Sequence, residues 1–558
     1  MFRQFRKEVI KLLGDYGEER FLRETEHADL CSTVAFKLAK SERKKPAEVA
    51  EEIVSSLDFS EVEYVGKVEA VNGYINFHAN YEFLEDTISY ILDSDENYGS
   101  FKMENAGNIL IEHTSANPDG PLHVGHIRNS IIGDTLARMF SKAGYDVRTQ
   151  YYVNDMGRQI AIACLGYRKF GVDGSKKPDH AVVEAYIKMN REIEENPELE
   201  EEVETLMLEY ERGEESVIQL FREVVEYALK GIMETLSRLN VSHDDFVWES
   251  EFVRNGYVNR IIEMLEKTGM LKEEDGALLI DMKRFGYDKD VVVRRKNGTT
   301  LYVTRDLAYH LWKNENFEEF INVLGADHKL IGRQLQDILK ALNLKPPEIV
   351  FFEFVSLPEG SMSTRKGKFI SADELIEKVY GEARKVVDKR SDLSDDEKEE
   401  IAKAVATGAL RYDFIRIAPE KPMTFDWNRA LDFERQSAAY IQYSHARACS
   451  ILRKAVKEGM PEVEFSAELC TEEERKLVML LSKFSWIVER CIRSLRPNTF
   501  ADYLMDVASA FNDFYTKNPV IKAESPELRM HRLAIVDACR IVIRNGLELL
   551  GIQAVERM

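Results

Sequence analysis

The stretch ILIEHTSANPDGPLHVGHIRNSIIGDTLAR, residues 109–138, organises the reading of the whole chain. Its apolar opening, Ile109-Leu110-Ile111, predicts a short buried strand. A polar loop from Glu112 to Pro121, broken by proline and glycine, comes next, and His123-Val124-Gly125-His126 then opens an amphipathic segment. There Leu122, Ile127, Ile131, Leu136 and Ala137 recur near helical spacing. A strand, a loop and a helix N-terminus in that order aim backbone N–H groups and the helix dipole at a bound anion. His123 and His126, three apart on the first turn, project to one side and can donate to one phosphate group. Gly125 between them leaves no side chain, so a flat base or a ribose can approach the backbone. Taken alone, a His-x-x-His pair is more often a surface or metal-binding pair. Zinc is disfavoured because no cysteine or carboxylate cluster sits nearby to complete a tetrahedral set.

Working outward, 558 residues at 44% hydrophobic can bury several cores, which predicts three or four domains. Cys31, Cys164, Cys449, Cys470, Cys491 and Cys539 are scattered without a Cys-x-x-Cys pair, the pattern of reduced thiols rather than a disulfide framework. MFRQFRKEVIKLL at the N-terminus mixes charges into an amphipathic helix and does not read as a signal peptide. No window approaches 18 apolar residues, so no membrane span is predicted. The net charge of −22 argues against a polyanionic partner, but residues 429–558 hold 19 Lys+Arg against 18 Asp+Glu. That C-terminal quarter is far less repulsive to RNA than the whole, which permits such a partner without diagnosing one.

Residues 1–95 read as a small α+β unit. Helical pattern covers Phe2–Leu13, Cys31–Ala39 and Pro46–Leu57, followed by β-prone Val62–Val71 and Gly73–Phe77, with Ile75 and Phe77 in the core. Residues 96–392 read as a doubly wound parallel sheet, because strand-like and helical segments alternate: 109–111, 145–152, 320–325 and 349–354 are strands. Ala277–Met282 and Val291–Arg295 also read as strands, the second turning at Asn297-Gly298, a strong hairpin signal. About residues 181–240 form an acidic helical insertion, most simply a solvated face. Residues 393–558 read as an all-helical bundle.

A second basic loop lies far downstream, Ser361-Met362-Ser363-Thr364-Arg365-Lys366-Gly367. With His123-Val124-Gly125-His126 it resembles the signature pair of class I aminoacyl-tRNA synthetases, a His-x-Gly-His motif and a Lys-Met-Ser-Lys-Ser-type loop. More narrowly, Glu112…Ser115-Ala116-Asn117…His123-Val124-Gly125-His126-Ile127-Arg128 resembles the arginyl-tRNA synthetase family, and Asp537-Ala538-Cys539-Arg540 is similar to its Asp-Ala-Leu-Arg motif. The loop departs from the wider pattern. Ser361 and Thr364 stand at the two lysine positions, Arg365 and Lys366 are displaced by one or two, and Gly120 occupies the place before the histidines where other arginyl enzymes put a lysine.

The resemblance implies ligation of L-arginine to tRNA(Arg) through an arginyl-adenylate, with ATP as substrate and Mg²⁺ sharing the triphosphate charge. It implies ATP contacts from His123, Gly125, His126, Met362, Ser363 and Lys366, with catalytic roles for His123, His126, Lys366 and, second to it, Arg365; no metal ligand from protein side chains is expected. Guanidinium is always charged and pairs bidentately, so its selection demands carboxylates. Matching the family's motifs gives Asp306 and Glu112 toward the charged end, Tyr302 on the guanidinium, and Asn117 and Gln334 at the α-amino and carboxylate ends. A salt-bridge or capping role competes for Glu112, and a dipole-favoured N-terminal carboxylate for Asp306. For tRNA the resemblance points to Tyr74 and Asn76 at the elbow, and to Tyr440, Tyr443 and Arg447 as one helical face that stacks splayed nucleotides. Buried tyrosines with satisfied hydroxyls are the competing explanation there. The remaining expectations are a monomer, a cytoplasmic location and no membrane partner. Rivals are a cysteinyl or glutamyl synthetase, a small-molecule nucleotidyltransferase, and a catalytically silent RNA-binding relative. Scattered cysteines argue against the first, the need for cations at a glutamate side chain against the second, the long helical region against the third, and intact His123, His126 and Lys366 against the last.

Overall fold

The computed structural model describes residues 1–356, 370–390, 393–432 and 436–558. In the N-terminal unit, strands β1 (Leu22–Arg23), β2 (Leu30–Ser32), β3 (Val65–Val71) and β4 (Tyr74–Ala79) form an antiparallel sheet of order β1-β2-β4-β3. Asn72 and Gly73, both at positive φ, make the tight turn between β3 and β4. Helix Phe2–Leu13 buries Phe2, Phe5, Val9 and Leu12 at helical spacing, and Ile75 and Phe77 are fully buried in β4. Cys31, read from periodicity as the start of a helix, instead pairs with Asn76 in β2, and the helix begins at Val34. Pairing with β4 outweighs the local helical pattern there.

The central domain is built on β5 (Asn108–Glu112), β6 (Asp146–Val153) and β7 (Asp245–Trp248). A separate antiparallel trio follows, β8 (Leu271–Glu274), β9 (Ala277–Ile280) and β10 (Val291–Arg294), and then β11 (Glu319–Gly325) and β12 (Glu348–Phe352). The main sheet has the order β12-β11-β5-β6-β7 with every neighbouring pair parallel, the doubly wound arrangement read from the sequence. Ile109, Leu110 and Ile111 are completely buried, as a central parallel strand covered on both faces requires. The strand order reverses at β5, which opens a crevice at the carboxyl ends of β5 and β11.

Two expectations change. Asn297-Gly298 does turn the chain, with Gly298 at φ +91°, but only a single bridge, Arg294 to Thr300, forms before the helix Tyr302–Asn316 begins. The extended hairpin of this region is β8–β9, turned by Asp275-Gly276, and β10 pairs with β9. The C-terminal region is helical but for one short strand: β14 (Met423–Thr424) pairs in parallel with β13 (Val355–Ser356). Arg128, fully buried on helix Val124–Lys142, fixes this junction by donating to the carbonyls of Glu353, Ala418 and Lys421 at 2.6, 3.1 and 3.0 Å. Arg411, also fully buried, joins Asp134 on the same helix to the Leu239 and Leu550 carbonyls, at 2.9 and 2.6 Å. The insertion and the C-terminal bundle are thereby tied to the helix that carries the histidines.

Candidate active site

His123 is the N-cap of helix Val124–Lys142. Its Nδ1 accepts from the backbone N–H of Gly125 (3.0 Å) and of His126 (3.3 Å). Nδ1 of His126 accepts in return from the His123 N–H at 3.3 Å, so the two imidazoles form a reciprocal capping box. The rings stack with centroids 3.6 Å apart and planes 15° from parallel. Because each Nδ1 is an acceptor, each proton must sit on Nε2. Burial lowers the pKa of both rings, that of His126 strongly, and they act as neutral N–H donors. A Cβ at position 125 would lie 2.9 Å from His123 Cε1. Gly125 is thus required first by the His123 ring folding over the helix end.

The loop leaving β5 is strained. Thr114 (φ +70°) and Ser115 (φ +40°) lie in the left-handed region, at a cost of roughly 1–3 kcal/mol each. Helix Val124–Lys142 holds them there: Asn129 Oδ1 accepts from the Thr114 N–H at 2.8 Å, and Ser130 Oγ lies 2.8 Å from Thr114 Oγ1. The bend directs Ser115 Oγ to the β6 backbone, where it accepts from the Tyr152 N–H at 3.1 Å. Asn117, exposed beyond the bend, bonds Gln159 and Asn154, each at 3.1 Å.

Across the carboxyl edge of the sheet lies a cluster of charges. Glu112 is already paired: Lys313 Nζ donates to it at 2.6 Å and Ser115 Oγ at 3.2 Å, and Lys313 also reaches Asn322 at 2.9 Å. This is the salt-bridge role that competed for it. Asp306, one turn beyond Tyr302 on helix Tyr302–Asn316, is half-buried and contacts His310 Nδ1 at 3.1 Å. Beside it Glu249, fully buried, takes Arg305 Nε at 2.7 Å, while Arg305 also donates to the Thr300 carbonyl at 2.7 Å. Asp155, fully buried, accepts from the Ser250 N–H at 3.0 Å and from Tyr210. Burial pushes Glu249 up to about 7 despite the pull of Arg305, with Asp155 and Asp306 adding repulsion. Arg305 is ion-paired with Glu249, while the neighbouring Asp155 and Asp306 bring two further carboxylates without an arginine or lysine partner among the described residues, so the cluster is short of a cation. Gln334 is half-buried on helix Lys329–Ala341, which follows β11.

The described residues that follow the second basic loop in sequence lie against the histidines. Ser371 forms a backbone bridge with His123, and the Ala372 N–H donates to the Leu122 carbonyl at 2.7 Å. Met362, Ser363, Arg365 and Lys366 themselves lie outside the described residues. One described group, Asp179, His180 and Asp373, has the donor set of a metal site, but Lys177 Nζ stands between its carboxylates at 2.9 and 2.8 Å.

A second candidate surface lies on the C-terminal bundle. A cavity of about 860 Å³ there is lined by Tyr443, Arg447, Tyr515, Arg453, Lys454 and Lys522 among others. Arg447 sits 4.8 Å from the Tyr443 ring and 5.5 Å from that of Tyr515, and donates to Asn512 at 2.8 Å. Tyr440, read as one of the platforms, packs against the core instead, and Tyr515 supplies the second ring. In the N-terminal sheet Tyr74 is exposed edge-on to Phe36 at 4.9 Å, but Asn76 is buried between β2 and β3 and does not offer the exposed amide read from the sequence.

Three family models match this chain. Residues 87–427 match the catalytic domain of class I tRNA synthetases (R), residues 441–558 the DALR anticodon binding domain, and residues 4–79 the arginyl-tRNA synthetase N-terminal domain. The arginine–tRNA ligase of Archaeoglobus fulgidus is 68% identical over 558 residues, with both chains covered in full. The chain belongs to the arginyl-tRNA synthetases. The arginine–tRNA ligase of Methanococcoides burtonii is 48% identical, also over the full length of both. The solved arginyl-tRNA synthetase of Thermus thermophilus superposes with a TM-score of 0.86 at 30% identity, again over both whole chains. As an arginyl-tRNA synthetase, the chain holds residues at its sheet edge that sequence reading passed over: Tyr152, Asp155, Glu249 and Arg305. The signal for Glu249 is positional, a carboxylate one residue past the end of β7, at the sheet's ligand-binding edge.

Proposed function

We infer that the chain ligates L-arginine to tRNA(Arg) in two steps. A carboxylate oxygen of arginine attacks the α-phosphorus of ATP, and the bond to pyrophosphate breaks to leave arginyl-adenylate. A ribose hydroxyl of the tRNA 3′ end then attacks the arginyl carbonyl carbon, and AMP leaves. The observation that carries this reading is a cation-deficient cluster, Glu249 and Asp306 beside Tyr302, on the same sheet edge as two neutral Nε2–H donors. The cluster fits a guanidinium fork, and the donors fit the oxygens of an α-phosphate as its charge grows. Their fixed orientation means that no reorganisation is needed at the moment of reaction.

Lys366, with Arg365 second, keeps the role of β- and γ-phosphate partner read from the sequence. Support comes from Ser371, bridged to His123 only five residues later, a stretch that spans at most about 18 Å. Mg²⁺ bound to the triphosphate would supply further positive charge there. Tyr443, Arg447 and Tyr515 suit unstacked bases, and Arg453, Lys454 and Lys522 suit the phosphates between them. No helix among the described residues is long and apolar enough to cross a membrane, and a cytoplasmic monomer is the assignment we adopt.

The test is ATP–pyrophosphate exchange with each amino acid, run with and without tRNA. Arginine alone should support exchange in at least one arm, and transfer should follow only with tRNA(Arg). Exchange driven by another amino acid, or by none, would remove the assignment.

A further inference from the structure

Tyr152 closes the carboxyl end of β6, and its side chain is held from several directions. The ring stacks on Tyr309 with centroids 4.7 Å apart and planes 12° from parallel, and Phe252 lies 6.5 Å away. Its backbone N–H is taken by Ser115 Oγ at 3.1 Å. Only 3% of the residue is exposed, yet its hydroxyl has no hydrogen-bond partner among the described residues.

The neighbouring buried tyrosines differ in this respect. Tyr151 donates to the Ala116 carbonyl and Tyr309 to Gln150 Oε1, each at 2.7 Å, and Tyr210 donates to Asp155. A buried hydroxyl left without a partner is costly, and native structures keep one where a ligand completes it or where a functional role compensates. The charged groups acting on this hydroxyl are those of the arginine cluster: Glu249, Asp306 and Arg305, with the Tyr302 phenol.

We propose that the Tyr152 hydroxyl is a direct hydrogen-bond partner of the substrate's guanidinium, which makes Tyr152 a specificity-determining residue of the arginine pocket. The proposal rests on the reading of arginine as substrate and adds a contact to it. A guanidinium brings five N–H donors and no acceptor, so the donors it buries each need an oxygen. Glu249 and Asp306 supply charged oxygens. A further carboxylate would add to the repulsion that Asp155 and Asp306 already exert on Glu249, whereas a phenol adds an acceptor without adding charge. Burial and the nearby carboxylates drive the Tyr152 pKa far upward, so the group stays a neutral phenol. Its oxygen then accepts from the guanidinium.

Tyr152→Phe keeps the stacked ring and removes only the hydroxyl. The arginine KM in pyrophosphate exchange should rise roughly ten- to hundredfold, the range for a hydrogen bond to a charged group. The ATP KM should stay the same. The free variant should melt at the same or a higher temperature than wild type, because an unsatisfied buried group is gone, while the melting shift caused by saturating arginine should shrink. An unchanged arginine KM with an unchanged arginine-induced shift would overturn the proposal. So would a lower melting temperature of the free variant, which would show the hydroxyl already bonded in the empty site. If wild type itself shows neither arginine-dependent exchange nor an arginine-induced shift, it is the substrate reading that fails.

Discussion

The two ends of the crevice are prepared for their ligands in opposite ways. At the β5 end the catalytic groups are held by bonds already made: the rings cap the helix and each other, and Thr114 is held by Asn129 and Ser130. At the β6–β7 end the polar groups do not balance, with Glu249, Asp306 and Asp155 set against Arg305 and an unpartnered Tyr152 hydroxyl. The difference follows from what each end must do. Charge that develops during reaction is best met by dipoles already in place. A ligand that arrives charged is best met by a site that is incomplete without it, because the ligand then gains every interaction the empty site lacks.

The contrast breaks most visibly at His126. His126→Ala removes a preorganised donor together with the acceptor that caps the His123 N–H. Loss of one such donor typically lowers kcat by about 10²–10³. Exchange measured at saturating ATP and arginine should show that loss, with the arginine KM little altered. Activity within about tenfold of wild type would mean that the imidazoles do not face the reacting phosphate.

Asp306→Asn probes the other end, where the loss should appear in binding. Truncating one partner of a buried, hydrogen-bonded charge pair costs about 2–5 kcal/mol. The arginine KM should therefore rise by about a hundredfold or more, with the ATP KM nearly constant. Equal changes in both constants would erase the division between the two ends.

The same division marks how far the sequence could be read. The histidine end is local: strand, loop and cap are contiguous from Ile109 to His126, and periodicity with turn chemistry suffices to place them. Parallel order followed from alternation of strands and helices. The arginine end is assembled from Tyr152, Glu249 and Tyr302–Asp306, which lie on three separate segments of the chain. Only tertiary structure shows that Lys313, eleven residues after Tyr302 on the same helix, neutralises Glu112 and leaves Glu249 short of a cation. Cys31 and Asn76 misled for a related reason: pairing between β2 and β4 decided the strand and the burial, and neither residue advertises its partner. Tyr515 joins Tyr443 from a helix 72 residues downstream, beyond the reach of any single helical face.

The smallest effect is the one that isolates the charge deficit itself. Glu249, pushed up to about 7 by burial, carries a proton in a large part of the free enzyme near neutrality. A guanidinium favours the ionised form, so binding releases that proton. Arginine affinity should then weaken as pH falls from 8 to 6, by at most tenfold per unit below the pKa. Stability of the free enzyme should run the other way. A carboxyl whose folded pKa is raised contributes most below its unfolded value, and that contribution is lost as pH rises through about 7. Saturating arginine should reverse that loss. Burial lowers the pKa of His123 and His126, whereas it raises that of Asp119 to about 6. Glu249→Gln separates the two carboxyls. Its arginine affinity should be weaker than wild type at pH 8 and nearly flat down to pH 6. A slope that survives in this variant would place the titrating group elsewhere and remove the claim that the empty pocket is waiting for a positive charge.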